Sequence, residues 1–348
     1  MAALPQNILQ PWQIALKDAI TDPQELLQLL ELTIPNIKNT AFPLRVPRGF
    51  VSLMRKGDAN DPLLRQILPV SEEQALTPGF SLDPLRESQA NPLPGILHKY
   101  HGRVLLTLTG ACATHCRYCF RQHFPYAENN PGSHGWDKAL AYIANDTSIQ
   151  EVILSGGDPL ILPDKPLQSL CQRLAAIPHL KTLRIHSRLA IALPERINSA
   201  FISWFAAIPL RKVLVTHCNH AQEIGPIAKQ AMLGLRNSQV TLLNQSVLLK
   251  GVNDSVTALI QLSETVFDAG ILPYYLHLLD KVQGTAHFEV AELQAKSLMA
   301  GLLKSLPGYL VPRLVREQAG LTSKTLIPLT GHTVNEQITP ILASEILV

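Results

Sequence analysis

The chain is 348 residues long, 46% of them hydrophobic, and carries a formal charge of only +3. That length allows one large domain or two ordinary ones around a substantial core, and the near-neutral charge, with no dense Lys/Arg block, argues against nucleic acid as the main partner. Residues 1–12 lack the pattern of a secretory signal, no run of about eighteen uninterrupted apolar residues marks a membrane span, and five cysteines, three of them clustered, are poor material for a disulfide framework, so a reducing cytoplasm is expected.

In chain order, the first segment is helical and punctuated by proline. Asp22-Pro23, Asp61-Pro62 and Asp83-Pro84 each suit a helix start, with Asp as N-cap and Pro at the first helical position. No catalytic constellation stands out there, so residues 1–95 are expected to form a helical covering region. From Arg103 onward strand-like runs recur at 104–109, 152–154, 183–186, 213–216, 240–243 and 273–278. Helix-like stretches at 167–176, 194–206, 224–235 and 256–269 lie between the later ones, at roughly the thirty-residue period of a strand-helix-strand unit. Such alternation implies an α/β fold with parallel strands and right-handed crossovers. Six units suggest an open partial (βα)6 barrel over 96–320, followed by a C-terminal segment, 321–348.

Chemistry in parallel barrels gathers at the carboxyl ends of strands. The unusual polar residues fall there: a cysteine loop after the first run, then Ser155-Gly156-Gly157-Asp158, Ser187-Arg188, His217, Asn244-Gln245 and Asp280. The loop reads Cys112-Ala-Thr-His-Cys116-Arg-Tyr-Cys119. Three thiolates can hold three irons of a four-iron, four-sulfur cluster and leave the fourth iron open to bind and split a small molecule, whereas a closed electron-transfer cluster takes four. Zinc is an alternative, although its structural sites are four-coordinate and usually pair cysteines as CxxC. Three core thiols are a further alternative.

The CxxxCxxC loop after the first strand, with a Gly-Gly-acid turn after the second, resembles the radical S-adenosylmethionine enzymes. More narrowly, residues 97–324 resemble the lysine 2,3-aminomutases, on His98-Lys99-Tyr100, the cysteine loop with Arg121, 155–159, 183–188, Thr216-His217, 244–249, 251–254, 273–276, Asp280 and His287-Phe288. Length and the N-terminal region are most similar to the bacterial branch that serves elongation factor P. The resemblance implies an isomerase in which the open iron chelates S-adenosylmethionine, one electron from a donor releases a 5′-deoxyadenosyl radical, and pyridoxal phosphate holds the amino acid as an imine while its nitrogen moves from C2 to C3.

By that resemblance Cys112, Cys116 and Cys119 ligate the cluster, and Gly156, Gly157, Asp158 and His217 contact S-adenosylmethionine. Lys324 forms the resting Schiff base, although Ala319-Gly-Leu-Thr-Ser323 replaces the family's usual glycine run before it. Lys99, where arginine is more usual, and Tyr100 and Gln245 fall where the family contacts the coenzyme, with His277 where some members have tyrosine. Arg121 matches the arginine that grips the substrate carboxylate, in keeping with guanidinium geometry. Asp280 and Glu317 could pair with the distal ammonium of lysine, since a buried ammonium needs such a partner. Larger members carry a C-terminal cysteine-rich zinc site; with no cysteine in 325–348 and Ser255 in place of another, no zinc is expected. The expected reaction is conversion of L-lysine to β-lysine for modification of elongation factor P. Alternatives are the same shift on arginine or glutamate, a radical enzyme without pyridoxal phosphate, and a non-catalytic metal-binding scaffold.

Overall fold

A computed structural model of the chain describes residues 9–34, 42–129 and 135–329. Nine strands form one sheet in chain order: β1 (Ile96–Tyr100), β2 (Arg103–Thr107), β3 (Glu151–Ser155), β4 (Thr182–Ser187), β5 (Arg211–His217), β6 (Thr241–Val247), β7 (Leu272–His277), β8 (Arg313–Arg316) and β9 (Thr325–Leu326). Strands β2 to β8 run parallel, whereas β1 and β9 are antiparallel edges that do not meet, so the sheet is open. The six expected strands correspond to β2–β7. The expected crossover helices correspond to Asp164–Ala175, Ser199–Ala206, Pro226–Asn237 and Val256–Asp268.

The two-residue period of a strand sorts the side chains. Val152 and Leu154 of β3, and Leu183 and Ile185 of β4, are fully buried in the main core, where they pack under the helices. Each such burial contributes about 1.5–3 kcal/mol. The alternate residues, Ile153 and Ser155 on β3 and Arg184 and His186 on β4, line a cavity on the opposite face. On the helix side, Leu167, Leu170 and Leu174 supply the matching apolar stripe. The sheet also explains why Gln245 lines the site although β6 continues past it to Val247, while Asn244 is buried and bonds Thr216 and Cys218. The sheet's stagger sets Gln245 opposite His217, the last residue of β5.

The N-terminal region has its own apolar cluster, centred on Ile20, Leu26, Val46, Phe50 and Leu64. Asp22 and Asp61 cap the helices Pro23–Leu29 and Pro62–Arg65 as their sequences suggest. Asp83-Pro84 starts no α-helix. The Asp83 carboxylate instead accepts from the Glu87 amide at 3.0 Å and the Ser88 hydroxyl at 3.2 Å, opening a short 3-10 turn over Glu87–Ala90. Arg86 just before it takes φ +48°, a strained left-handed conformation for a residue with a Cβ. Among the described residues no helix is long and apolar enough to cross a membrane. Residues 1–8 and 330–348, on which the leader and C-terminal expectations partly rest, lie outside the described residues.

Candidate active site

All fifteen residues that the resemblance places at the site, His277 included, line one cavity of about 350 Å³ on the polar face of the sheet. The cysteine loop enters it directly after β2. The N-terminal region braces this loop through backbone bonds: the His115 amide donates to the Arg45 carbonyl at 2.9 Å and the Arg117 amide to the Gln66 carbonyl at 2.8 Å. The Arg117 side chain, itself buried, donates to Glu73 and to the Phe42 carbonyl. Cys112, Cys116 and Cys119 are half-buried: they are surrounded by protein yet face the cavity. Burial raises all three thiols, Cys119 to about 12, and neighbouring cysteines raise Cys112 and Cys119 further. Thiols held in a dry wall with this mutual repulsion fit a group that binds them as thiolates and offsets their charge with metal ions.

Gly156 and Gly157 are required where they stand by the same loop. A Cβ on Gly156, at φ +118°, would sit 2.6 Å from the Thr109 carbonyl oxygen, and one on Gly157 would sit 2.3 Å from that of Ala111. The close approach expected of these glycines is therefore made to the backbone leading into the cysteines. Asp158, which lines the cavity, is also held by the protein itself. Its two carboxylate oxygens accept from the Leu160, Arg188 and Leu189 amides and the Ser187 hydroxyl at 2.8–3.1 Å, tying the β3 turn to the β4 turn. Burial pushes this carboxyl up to about 6 against those bonds. With its acceptors committed to the protein, Asp158 shapes the floor under the cysteine loop.

Across the cavity runs a row of alternating charges that sequence reasoning did not foresee. Arg121 lays its Nε and Nη2 on the two oxygens of Glu87 at 2.7 and 2.8 Å, and its Nη1 reaches the Ser155 hydroxyl at 3.3 Å. Glu87 also meets Lys99 at 3.1 Å, Lys99 meets Glu317 at 3.3 Å, and Glu317 meets Lys324 at 2.5 Å. Glu317 is thus shared between two lysines. Burial alone would raise its carboxyl, but Lys324 and Lys99 outweigh burial and hold it well below the usual carboxylate range. Glu87 is likewise held low by Arg121 and Lys99 against a large burial effect. It comes from the segment expected only to cover the fold. Removing one member of a buried pair of this kind costs about 3–5 kcal/mol because the other charge is stranded. Lys324 owes its place to β9, which begins at the next residue and pairs back on β8.

Asp280 stands apart from that row. Its carboxyl lines the cavity, and burial, then the nearby Glu317, raise it to about 7, with Lys324 opposing. It is the cavity carboxyl best suited to accept a cation. Three histidines complete the wall. Burial pushes His217 down to about 3 and His186 and His277 well below their ordinary value, so all three are neutral imidazoles. The Gln245 amide donates to His217 Nε2 at 2.7 Å, which joins the residues expected at the coenzyme and at S-adenosylmethionine. Among the described residues the buried Nε2 atoms of His186 and His277, two residues that line the cavity, have no hydrogen-bond partner. A pocket offering such orphaned polar atoms, an amine and flanking cations fits a polar, anionic coenzyme.

An open parallel α/β sheet with a three-cysteine loop at its first parallel strand defines an iron–sulfur enzyme, and the 4Fe-4S single cluster domain family matches residues 101–185. The chain is 51% identical to L-lysine 2,3-aminomutase of Escherichia coli K12 over 92% of its length and 95% of that protein, and 48% identical to that of Haemophilus influenzae over 94% and 99%. It is 32% identical to L-lysine 2,3-aminomutase of Clostridium subterminale over 90% of its own length and 77% of that protein. The chain belongs to the L-lysine 2,3-aminomutase family, radical S-adenosylmethionine isomerases that use a 4Fe-4S cluster, S-adenosylmethionine and pyridoxal 5′-phosphate.

Proposed function

We propose that the protein converts L-lysine to β-lysine and that its open sheet is a partial (βα)6 radical S-adenosylmethionine barrel over 96–320, covered by 1–95 and followed by a C-terminal segment, 321–348, that carries the coenzyme lysine. The observation that carries this reading is the charge in the cavity. Arg121 gives its Nε/Nη2 edge to Glu87 and leaves the side carrying Nη1, which also meets the Ser155 hydroxyl, for a carboxylate, and Asp280 is a cavity carboxyl that makes no salt bridge among the described residues. An amino acid with a second ammonium at its far end satisfies both, whereas glutamate would bring a third carboxyl against Asp280 and Glu317. When bound, the cluster and S-adenosylmethionine supply radical chemistry and pyridoxal phosphate supplies a carbonyl for the substrate amine.

The chain's own residues would then bind, orient and exclude water. Cys112, Cys116 and Cys119 would hold the cluster, His217 and the Gly156-Gly157 turn would border S-adenosylmethionine, and Asp158 would fix that turn. Lys324 would hold the coenzyme at rest, with Glu317 keeping its ammonium in place while the substrate takes its position, and Lys99, Tyr100 and Gln245 would border the coenzyme. Positioning is the main contribution, since small displacements of reacting atoms have large effects on rate. Supply of β-lysine for elongation factor P, an electron donor as partner and a cytoplasmic location follow from the resemblance and the unpaired cysteines.

The test is an anaerobic substrate panel read against pH. Lysine is turned over and glutamate is not. Asp280 carries a proton below about pH 7 in the substrate-free protein, so kcat/KM for lysine rises with pH through that value as the carboxylate forms. Asp280→Asn removes this rise and lowers kcat/KM by roughly 30-fold or more, as loss of one partner of a buried charge pair costs at least about 2 kcal/mol. Turnover of glutamate alone, or an unchanged pH profile in Asp280→Asn, contradicts the assignment.

A further inference from the structure

We propose that Glu87 is a positioning residue that blocks one edge of the Arg121 guanidinium, so that a substrate carboxylate can dock only on the other. A guanidinium presents two bidentate edges to carboxylates, Nε/Nη2 and Nη1/Nη2. In an unguarded cavity a substrate could choose either, and the two choices set its backbone in different places. Glu87 takes the Nε/Nη2 edge with both oxygens, at 2.7 and 2.8 Å. The Ser155 hydroxyl at 3.3 Å steadies Nη1 from the end of β3. What remains is one edge in one orientation.

Glu87 is built for such a post. Its side chain is 5% exposed and lines the cavity wall. Its backbone is fixed by the Asp83 carboxylate on its amide, directly after the strained Arg86. The Oε1 atom that accepts from Arg121 Nη2 also meets Lys99 at 3.1 Å. One carboxylate thereby sets the distance between Arg121 and Lys99, the two cations expected to hold the substrate's carboxylate and to border the coenzyme. Without it, Arg121 and Lys99 would face each other across the gap with only Glu317 between Lys99 and Lys324.

This inference rests on the reading that Arg121 receives the substrate carboxylate. The experiment uses the reconstituted holoenzyme, with lysine affinity measured by equilibrium dialysis without reductant and turnover measured with it. In Glu87→Ala, lysine Kd stays within about threefold of wild type because the guanidinium still binds carboxylate, while kcat falls roughly 100-fold because about an ångström of misplacement costs that much. Added formate, which can refill the vacated carboxylate position, restores at least tenfold of the lost kcat. Glu87→Gln keeps the volume but turns an amide N–H toward one Arg121 donor, and its kcat falls at least tenfold at unchanged Kd. Wild-type kcat in either variant overturns the proposal, as does a kcat loss in natively folded Glu87→Ala that formate does not relieve. A parallel Arg121→Lys variant separates the two readings. Unchanged lysine Kd there refutes the Arg121 assignment, whereas a raised Kd beside wild-type kcat in both Glu87 variants refutes only the role of Glu87.

Discussion

Cys119→Ser leaves the protein folded but without the visible absorbance of an iron–sulfur cluster, with bound iron falling from about four per chain toward zero and no product formed. Three thiolates are the minimum that holds a four-iron cluster with one iron free, so losing one leaves two ligands and an unstable site. A serine hydroxyl is a harder and far less acidic donor than a thiol. The fold survives because the loop hangs on other contacts. Its backbone is held by Arg45 and Gln66, and Arg117 by Glu73 and Phe42. Gly156 and Gly157 press against it from β3. Iron analysis and circular dichroism on the same sample check both halves of the expectation. Retained iron with retained activity would rule out the assigned ligand set.

Lys324→Ala abolishes the visible absorbance of bound coenzyme and lowers kcat by at least roughly 10³-fold, about 4 kcal/mol and roughly half of the 7–11 kcal/mol that oriented placement can supply. The amine is seated by the Glu317 contact at 2.5 Å and by the β9 pairing that follows it. Its removal has a second consequence. Glu317 keeps only Lys99 as a cationic partner, so its carboxyl rises from its depressed position. The sign for stability follows. A carboxyl held low contributes stability above its unfolded value and loses it as pH falls through the lower folded value. Lys324→Ala shrinks that contribution, so the Glu317 carboxylate stabilises the variant less at neutral pH and the variant loses less stability than wild type on acidification below about pH 4, readable by thermal unfolding across that range. An absorbance spectrum and turnover like wild type would contradict the role of this lysine.

The interior strands were legible because a strand buried on both faces is written as a short β-branched or leucine run between turn residues, as in Glu151–Ser155 and Arg211–His217. The edges were not. Ile96–Tyr100 carries His98 and Lys99 in a sequence that reads as loop, and β9 is two residues long. The cavity wall could be read because the parallel strands other than β6 end in a polar residue, and because the cysteine spacing is local information. The ion-pair row could not. Glu87 and Arg121 lie 34 residues apart, Lys99 and Glu317 lie 218 apart, and no periodicity links them. The proline-punctuated start looked like a cover because its helices are short and apolar. Its Asp83 turn nonetheless delivers Glu87 to the cavity, and its Arg45 and Gln66 carbonyls hold the cysteine loop. Asp158 adds a role that its position after β3 did not announce: four protein donors hold its carboxylate and tie two turns together.

The most direct measurement follows labelled L-lysine through anaerobically reconstituted protein with dithionite, S-adenosylmethionine and pyridoxal phosphate. The account predicts label in β-lysine with its nitrogen on C3, formed together with 5′-deoxyadenosine and dependent on Cys112, Cys116 and Cys119. Cleavage of S-adenosylmethionine with the lysine recovered unchanged, or β-lysine formed by the cluster-free protein, would contradict it.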